Sequence, residues 1–162
     1  MMRFRQKGTT TVEFAIIAAS FFIVLFGVIE IGRALFVWNT LTEATRRGAR
    51  VAVVCPVNSP AIARVTIFGD PASATASPVL GGLTTSNVQV AYLDQSGGAV
   101  TNPGGTGFIN IRYVRVGMTD YQITLLIPFI SAVLTALPFE TTLPRESLGV
   151  TPGVGALCAF PP

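Results

Sequence analysis

Gly8 and Glu13 are the residues whose types and spacing could do chemistry, in the run Gly8-Thr9-Thr10-Thr11-Val12-Glu13-Phe14 at the mouth of a long apolar stretch. Cutting the chain after Gly8 would make Thr9 its first residue and place Glu13 fifth. The freed α-amine is a cation. At the depth of a carboxylate on a neighbouring helix it could neutralise that charge, so each subunit could satisfy the next during assembly. A carboxylate facing hydrocarbon costs on the order of 2.5 kcal/mol or more and is usually kept for a reason. Taken alone, Glu13 also reads as an interfacial residue reaching the headgroups, or as a favourable charge in the first helical turn.

The element that must position Glu13 is the apolar run. It extends from Phe14 through Ile29 with no charge and only Ser20 polar, then resumes past Glu30 to Trp38. As a helix, Phe14 to Val37 would be roughly 36 Å long against roughly 30 Å of bilayer hydrocarbon. Arg3, Arg5 and Lys7 precede it with no acidic residue among them, so the positive-inside rule keeps the head of the chain cytoplasmic and exports the rest. A cleaved secretory signal shares the basic and apolar regions. It also needs a small-residue cleavage site soon after the apolar core, and Gly27-Val28-Ile29-Glu30-Ile31-Gly32-Arg33 supplies none.

Past Trp38 the pattern turns amphipathic: Leu41, Ala44, Gly48, Val51, Ala52 and Cys55 keep helical spacing, and Glu43 has Arg46 and Arg47 at i+3 and i+4. That face could be solvated, packed on other subunits or set against lipid headgroups. Pro56 cannot readily extend a helix, so the spacing predicts one rod from about Thr9 to Val54. Glu30 and Arg33 form a second charged pair on one helix face, readable as a mutual ion pair near the outer membrane boundary or as a contact setting the register between subunits. Ala15, Ala19, Gly27 and Gly32 offer small surfaces for helix approach, without a true G-x-x-x-G motif.

The remainder reads as a small head broken by turn chemistry, including Asn58-Ser59-Pro60, Gly81-Gly82 and Asn102-Pro103-Gly104-Gly105. Ile62 to Phe68 could be a helical turn or a short strand. Alternation predicts strands over Asn87–Leu93 and within Phe108–Leu126, interrupted by a bulge or turn at Gly117 or at Thr119-Asp120. The uncharged Pro128–Leu137 segment, too short to span a bilayer, is expected as a helix packed on the sheet, and Phe139–Leu143 as a last strand. The expected fold is α+β and pilin-like: one long N-terminal transmembrane and amphipathic helix, then three or four antiparallel strands over its C-terminal half. The corresponding division is a basic leader over 1–8, the long helix over 9–54 and an exoplasmic head over 55–162.

Cys55 and Cys158 both fall on the exported side, where disulfides persist. Joining them would close a loop of about a hundred residues, worth about 4.7 kcal/mol in the chain-entropy model. Two unlinked thiols are the alternative. Of eleven Lys and Arg, three lie in the first eight residues, which leaves eight basic against eight acidic side chains and no basic stripe for nucleic acid. There is no histidine, no metal-spaced cysteine cluster and no nucleophile with an identifiable base, so neither catalysis nor a metal or other cofactor is expected.

Three blocks carry a family resemblance. They are Gly8-Thr9-Thr10-Thr11-Val12-Glu13-Phe14-Ala15, then Phe26-Gly27-Val28-Ile29-Glu30-Ile31-Gly32-Arg33-Ala34, then Asn39-Thr40-Leu41-Thr42-Glu43-Ala44-Thr45-Arg46-Arg47-Gly48-Ala49-Arg50. At these residues the chain resembles the type IV pilin class, and more closely the TadE-like family of minor pseudopilins from tight-adherence (Flp) pilus systems. Pro138 to Leu148, with its Leu-Pro-Arg-Glu, looks like the family's closing segment. The resemblance implies a membrane precursor cut between Gly8 and Thr9 by a prepilin peptidase. It also implies Glu13 acting in assembly, and other pilins, pseudopilins and the assembly machinery as partners. The location implied is the inner membrane, single-pass, or an extracellular pilus. An uncleaved membrane scaffold and an exported ligand-binding head are the alternatives.

Overall fold

The computed structural model describes residues 8–71, 80–125, 133–150 and Cys158. Its first element is α1, a helix over Thr9–Ala52. No proline interrupts it, and its N-terminal half is apolar on all sides. From Val37 onward one stripe turns inward, with Val37, Leu41, Ala44, Thr45, Gly48, Ala49 and Ala52 buried at i, i+4, i+7 and i+8 spacings.

The helix ends two residues short of the expected Val54, for a reason that lies far along the chain. The Val53 carbonyl accepts from the backbone N–H groups of Glu146 and Leu148, and the Val54 carbonyl from that of Gly149 and the Ser147 hydroxyl. Carbonyls at a helix end have no intrahelical donor, and the closing segment provides two for each. Arg145 holds that segment down: it donates to the Phe108 and Ile111 carbonyls and lies over the Phe108 ring at 5.4 Å.

The second helix, α2, spans Pro60–Phe68, with Pro60 in its first turn and Gly69 left-handed at its end. These two punctuating residues settle the choice between helix and strand left open at Ile62–Phe68. The helix lies against α1 because Gly48 has no side chain: a Cβ there would overlap the Thr66 hydroxyl.

The sheet is built from β1 (Val88–Leu93), β2 (Tyr113–Met118) and β5 (Phe139–Pro144), antiparallel with β2 in the middle. Val114, Val116 and Met118 are buried, whereas Arg115 points outward to Glu140. Gly117 is paired in register with Gln89 and Glu140, so it is no bulge. The strand stops at Thr119-Asp120, where Asp120 takes a positive φ. Phe108–Asn110, expected to open the strand, is a 3-10 turn instead.

Between β2 and β5 the chain makes a separate two-stranded ribbon, β3 (Gln122–Thr124) with β4 (Val133–Thr135). This corrects two expectations. Within the predicted Pro128–Leu137 helix, Val133–Thr135 is strand and Ala136-Leu137 is irregular, because Val133 and Thr135 are β-branched and β3 offers backbone partners to the strand; residues 126–132 lie outside the described set. The head also holds five strands in two sheets among the described residues, not three or four in one. The layout is nonetheless α+β, a long N-terminal helix followed by a small antiparallel head.

Candidate functional site

From Thr9 to Phe36 no side chain of α1 is fully buried, and Phe14, Ile17, Phe21, Ile23, Val28 and Leu35 are among the large apolar residues it exposes. The helix is long and apolar enough to cross a membrane, and none of its most apolar 18-residue stretch is buried within the chain. Charges bracket that stretch. Glu13 stands about 26 Å below Glu30 along the axis and about 30 Å below Arg33, a spacing comparable to the hydrocarbon thickness of a bilayer.

At the lower end, α1 begins at Thr9, directly after the Gly8–Thr9 peptide. Gly8 is exposed and makes no side-chain cap, and its carbonyl accepts from the Val12 N–H at 3.4 Å. Glu13 lies one turn into the helix, exposed between Val12 and Phe14. The basic residues Arg3, Arg5 and Lys7 lie outside the described set.

At the upper end, Glu30 and Arg33 pair at 2.5 Å. Arg33 also donates to the backbone carbonyl of Thr124 at the end of β3. The sequence offered the ion pair but gave no hint of Thr124, because a backbone carbonyl leaves no mark on residue type. Five residues above Arg33, Trp38 stands edge-on to Phe139 with ring centroids 4.9 Å apart. The described head therefore reaches α1 as low as Arg33.

Cys55 and Cys158 are joined by a disulfide, with Cα atoms 5.5 Å apart. Cys55 follows the end of α1, so the bond fastens the chain's tail to the same place that the closing segment caps. One open hollow of the head is lined by Asp94, Ser96, Thr101, Asn110 and Arg112. Its carboxylate is already occupied: Asp94 accepts from the Ser96 hydroxyl and from the Ser96 and Gly98 amides. The Ser96 and Gly98 hydrogen bonds hold the Asp94 carboxyl below its ordinary range. Among the described residues no group of three or more His, Cys, Asp or Glu is placed to hold a metal.

Comparison with known families bears on the helix. Residues 8–50 match the TadE-like protein family. The TadE-like match runs from the glycine before α1 to Arg50 near its end, and includes Gly8, Glu13, Glu30, Arg33 and Gly48. No curated protein and no solved structure matches the chain. Over that segment the chain is similar to TadE-like proteins, and the segment coincides with the helix that is long and apolar enough to cross a membrane.

Proposed function

We propose that this protein is a minor pseudopilin, a structural and assembly subunit of a tight-adherence pilus rather than an enzyme. It is made as an inner-membrane precursor with its head on the exoplasmic side. A prepilin peptidase cuts it between Gly8 and Thr9. The observation that carries this reading is the placement of Glu13: an exposed carboxylate one turn past the helix start, among apolar side chains that face no part of their own chain. In lipid such a charge calls for a cation at its own depth. The α-amine of Thr9 on an adjacent subunit supplies one.

The head's size also favours a minor subunit, since a protein whose only task is to stack helices into a fibre does not need it. The test is the intact mass and N-terminal sequence of protein recovered from its native membrane, with the wild type beside Glu13→Gln. The expected result is a chain starting at Thr9 in both, with fibre assembly lost only in the variant. A chain retaining residues before Thr9 would replace cleavage with a permanently anchored scaffold.

A further inference from the structure

The ribbon of β3 and β4 packs Ile123, with Ala136 just beyond β4, against the core and leaves its other apolar side chains outside. Val133, Leu134 and Leu137 are 56%, 54% and 68% exposed, large fractions for apolar side chains so close together. No charged residue occurs between Asp120 and Glu140. A ribbon this uncharged and this exposed is an unusual surface for water.

Its position along α1 bears on what would cover it. Tyr121, at the start of the ribbon, belongs to the core cluster that contains Val37 and Leu41. Thr124, three residues on, meets Arg33. The ribbon therefore descends along α1 toward the stretch that faces lipid. Leu35, Phe36 and Trp38, all above Arg33, are themselves exposed on α1. An aromatic such as Trp38 suits the headgroup level, so Thr124 and β4 lie at or below it. The charge at this depth is also handled as a lipid boundary requires: Arg33 has both the Glu30 carboxylate and a carbonyl of the ribbon.

We propose that the β3–β4 ribbon is a second membrane contact, seated in the headgroup and upper acyl region of the leaflet on the head's side. Arg33 is its positioning residue. The partner is a lipid surface, and the inference rests on α1 spanning that same bilayer. Apolar side chains at this boundary add to membrane affinity through their buried area and hold the head at a fixed tilt.

The test uses the full chain reconstituted in mixed zwitterionic and anionic phospholipid vesicles, with Trp38→Phe as background. Single tryptophans are placed by Leu134→Trp in the ribbon, by Ile23→Trp in mid-helix and by Ser96→Trp on the far loop. Lipids brominated near the headgroup are expected to remove about half or more of the Leu134→Trp emission and to leave Ser96→Trp unchanged. Lipids brominated deep in the chains are expected to quench Ile23→Trp. Leu137→Trp repeats the measurement should Leu134→Trp disturb the ribbon. Quenching at Ile23→Trp with none at either ribbon position would overturn the proposal alone. Absence of quenching at Ile23→Trp would remove the spanning helix and the proposal together. Ribbon emission that shifts with the protein-to-lipid ratio, unquenched by lipid, would assign the surface to a second copy of the chain.

Discussion

The two halves of α1 share one backbone and differ in what surrounds them. From Phe14 to Ile29 the helix is uncharged and apolar on every side, and from Thr9 to Phe36 it gives no fully buried residue to its own chain; from Val37 to Ala52 a single stripe is buried and the other faces are polar or exposed. The first half is written for hydrocarbon, where every direction is apolar, and the second for water on one side and a sheet on the other. The difference teaches that burial within the chain is the wrong measure of the lower half. On the proposed function its packing partners are lipid and other helices, and its stability should be insensitive to changes that dismantle the head.

The largest expected effect comes from removing the disulfide. In Cys55→Ser/Cys158→Ser, head unfolding in micelles should lose up to about 4.7 kcal/mol. Circular dichroism should still report the lower helix after the near-ultraviolet signal of the head is gone. If both signals vanish together, the two halves are one cooperative unit and the comparison fails. Next is a matched pair of truncations. Leu41→Ala, at a residue fully buried in the lower core cluster, should cost about 2–5 kcal/mol of head stability, while Leu35→Ala in the exposed stretch should cost about 0.5 kcal/mol or less.

Glycines sharpen the contrast further. Gly48→Ala forces a methyl into Thr66 and should destabilise by about 1–3 kcal/mol, read from denaturant midpoints. Gly27→Ala and Gly32→Ala meet nothing within 4 Å in the chain, so any defect they cause must appear in assembly and not in unfolding.

The smallest effect concerns pH and belongs wholly to the head. Burial raises the Tyr92 phenol above its ordinary 10.0, against the opposing hydrogen bond it accepts from the Asn58 amide. A raised folded value means the associated stability is complete below about pH 10 and is lost as pH climbs through the folded value. Tyr92→Phe should cost about 1 kcal/mol at neutral pH and flatten that alkaline decline, measured by urea titration at stepped pH.

The elements that were legible in the sequence are those whose pattern is long or strictly alternating. The apolar run and Pro56 delimit α1, and alternation marks β1, β2 and β5. Pro60 and Gly69 bracketed α2, although a nine-residue element gave the period too little room to decide. The strand β3 falls within the expected Phe108–Leu126 run, whereas β4 was misread because an uncharged run with β-branched residues fits a buried helix and a strand alike, and only the pairing partner separates them. The spacing of Gly8 and Glu13 was visible from residue type. The Arg33 contact with Thr124 and the capping of α1 by Glu146, Leu148 and Gly149 were not, because their acceptors or donors are main-chain atoms that every residue carries.

The tail's attachment at Cys55 has a mechanical consequence. The disulfide ties together residues separated by 103 positions just past the end of α1, so the head that packs along Val37–Ala52 is also a covalently closed loop. Tension transmitted from helix to helix along a fibre would run through α1 and pass that point by. Pulling on the chain outside Cys55 and Cys158 would load a covalent cross-link before it could unravel the sheet, so a chain built this way can be stretched at its root without spilling the domain it carries.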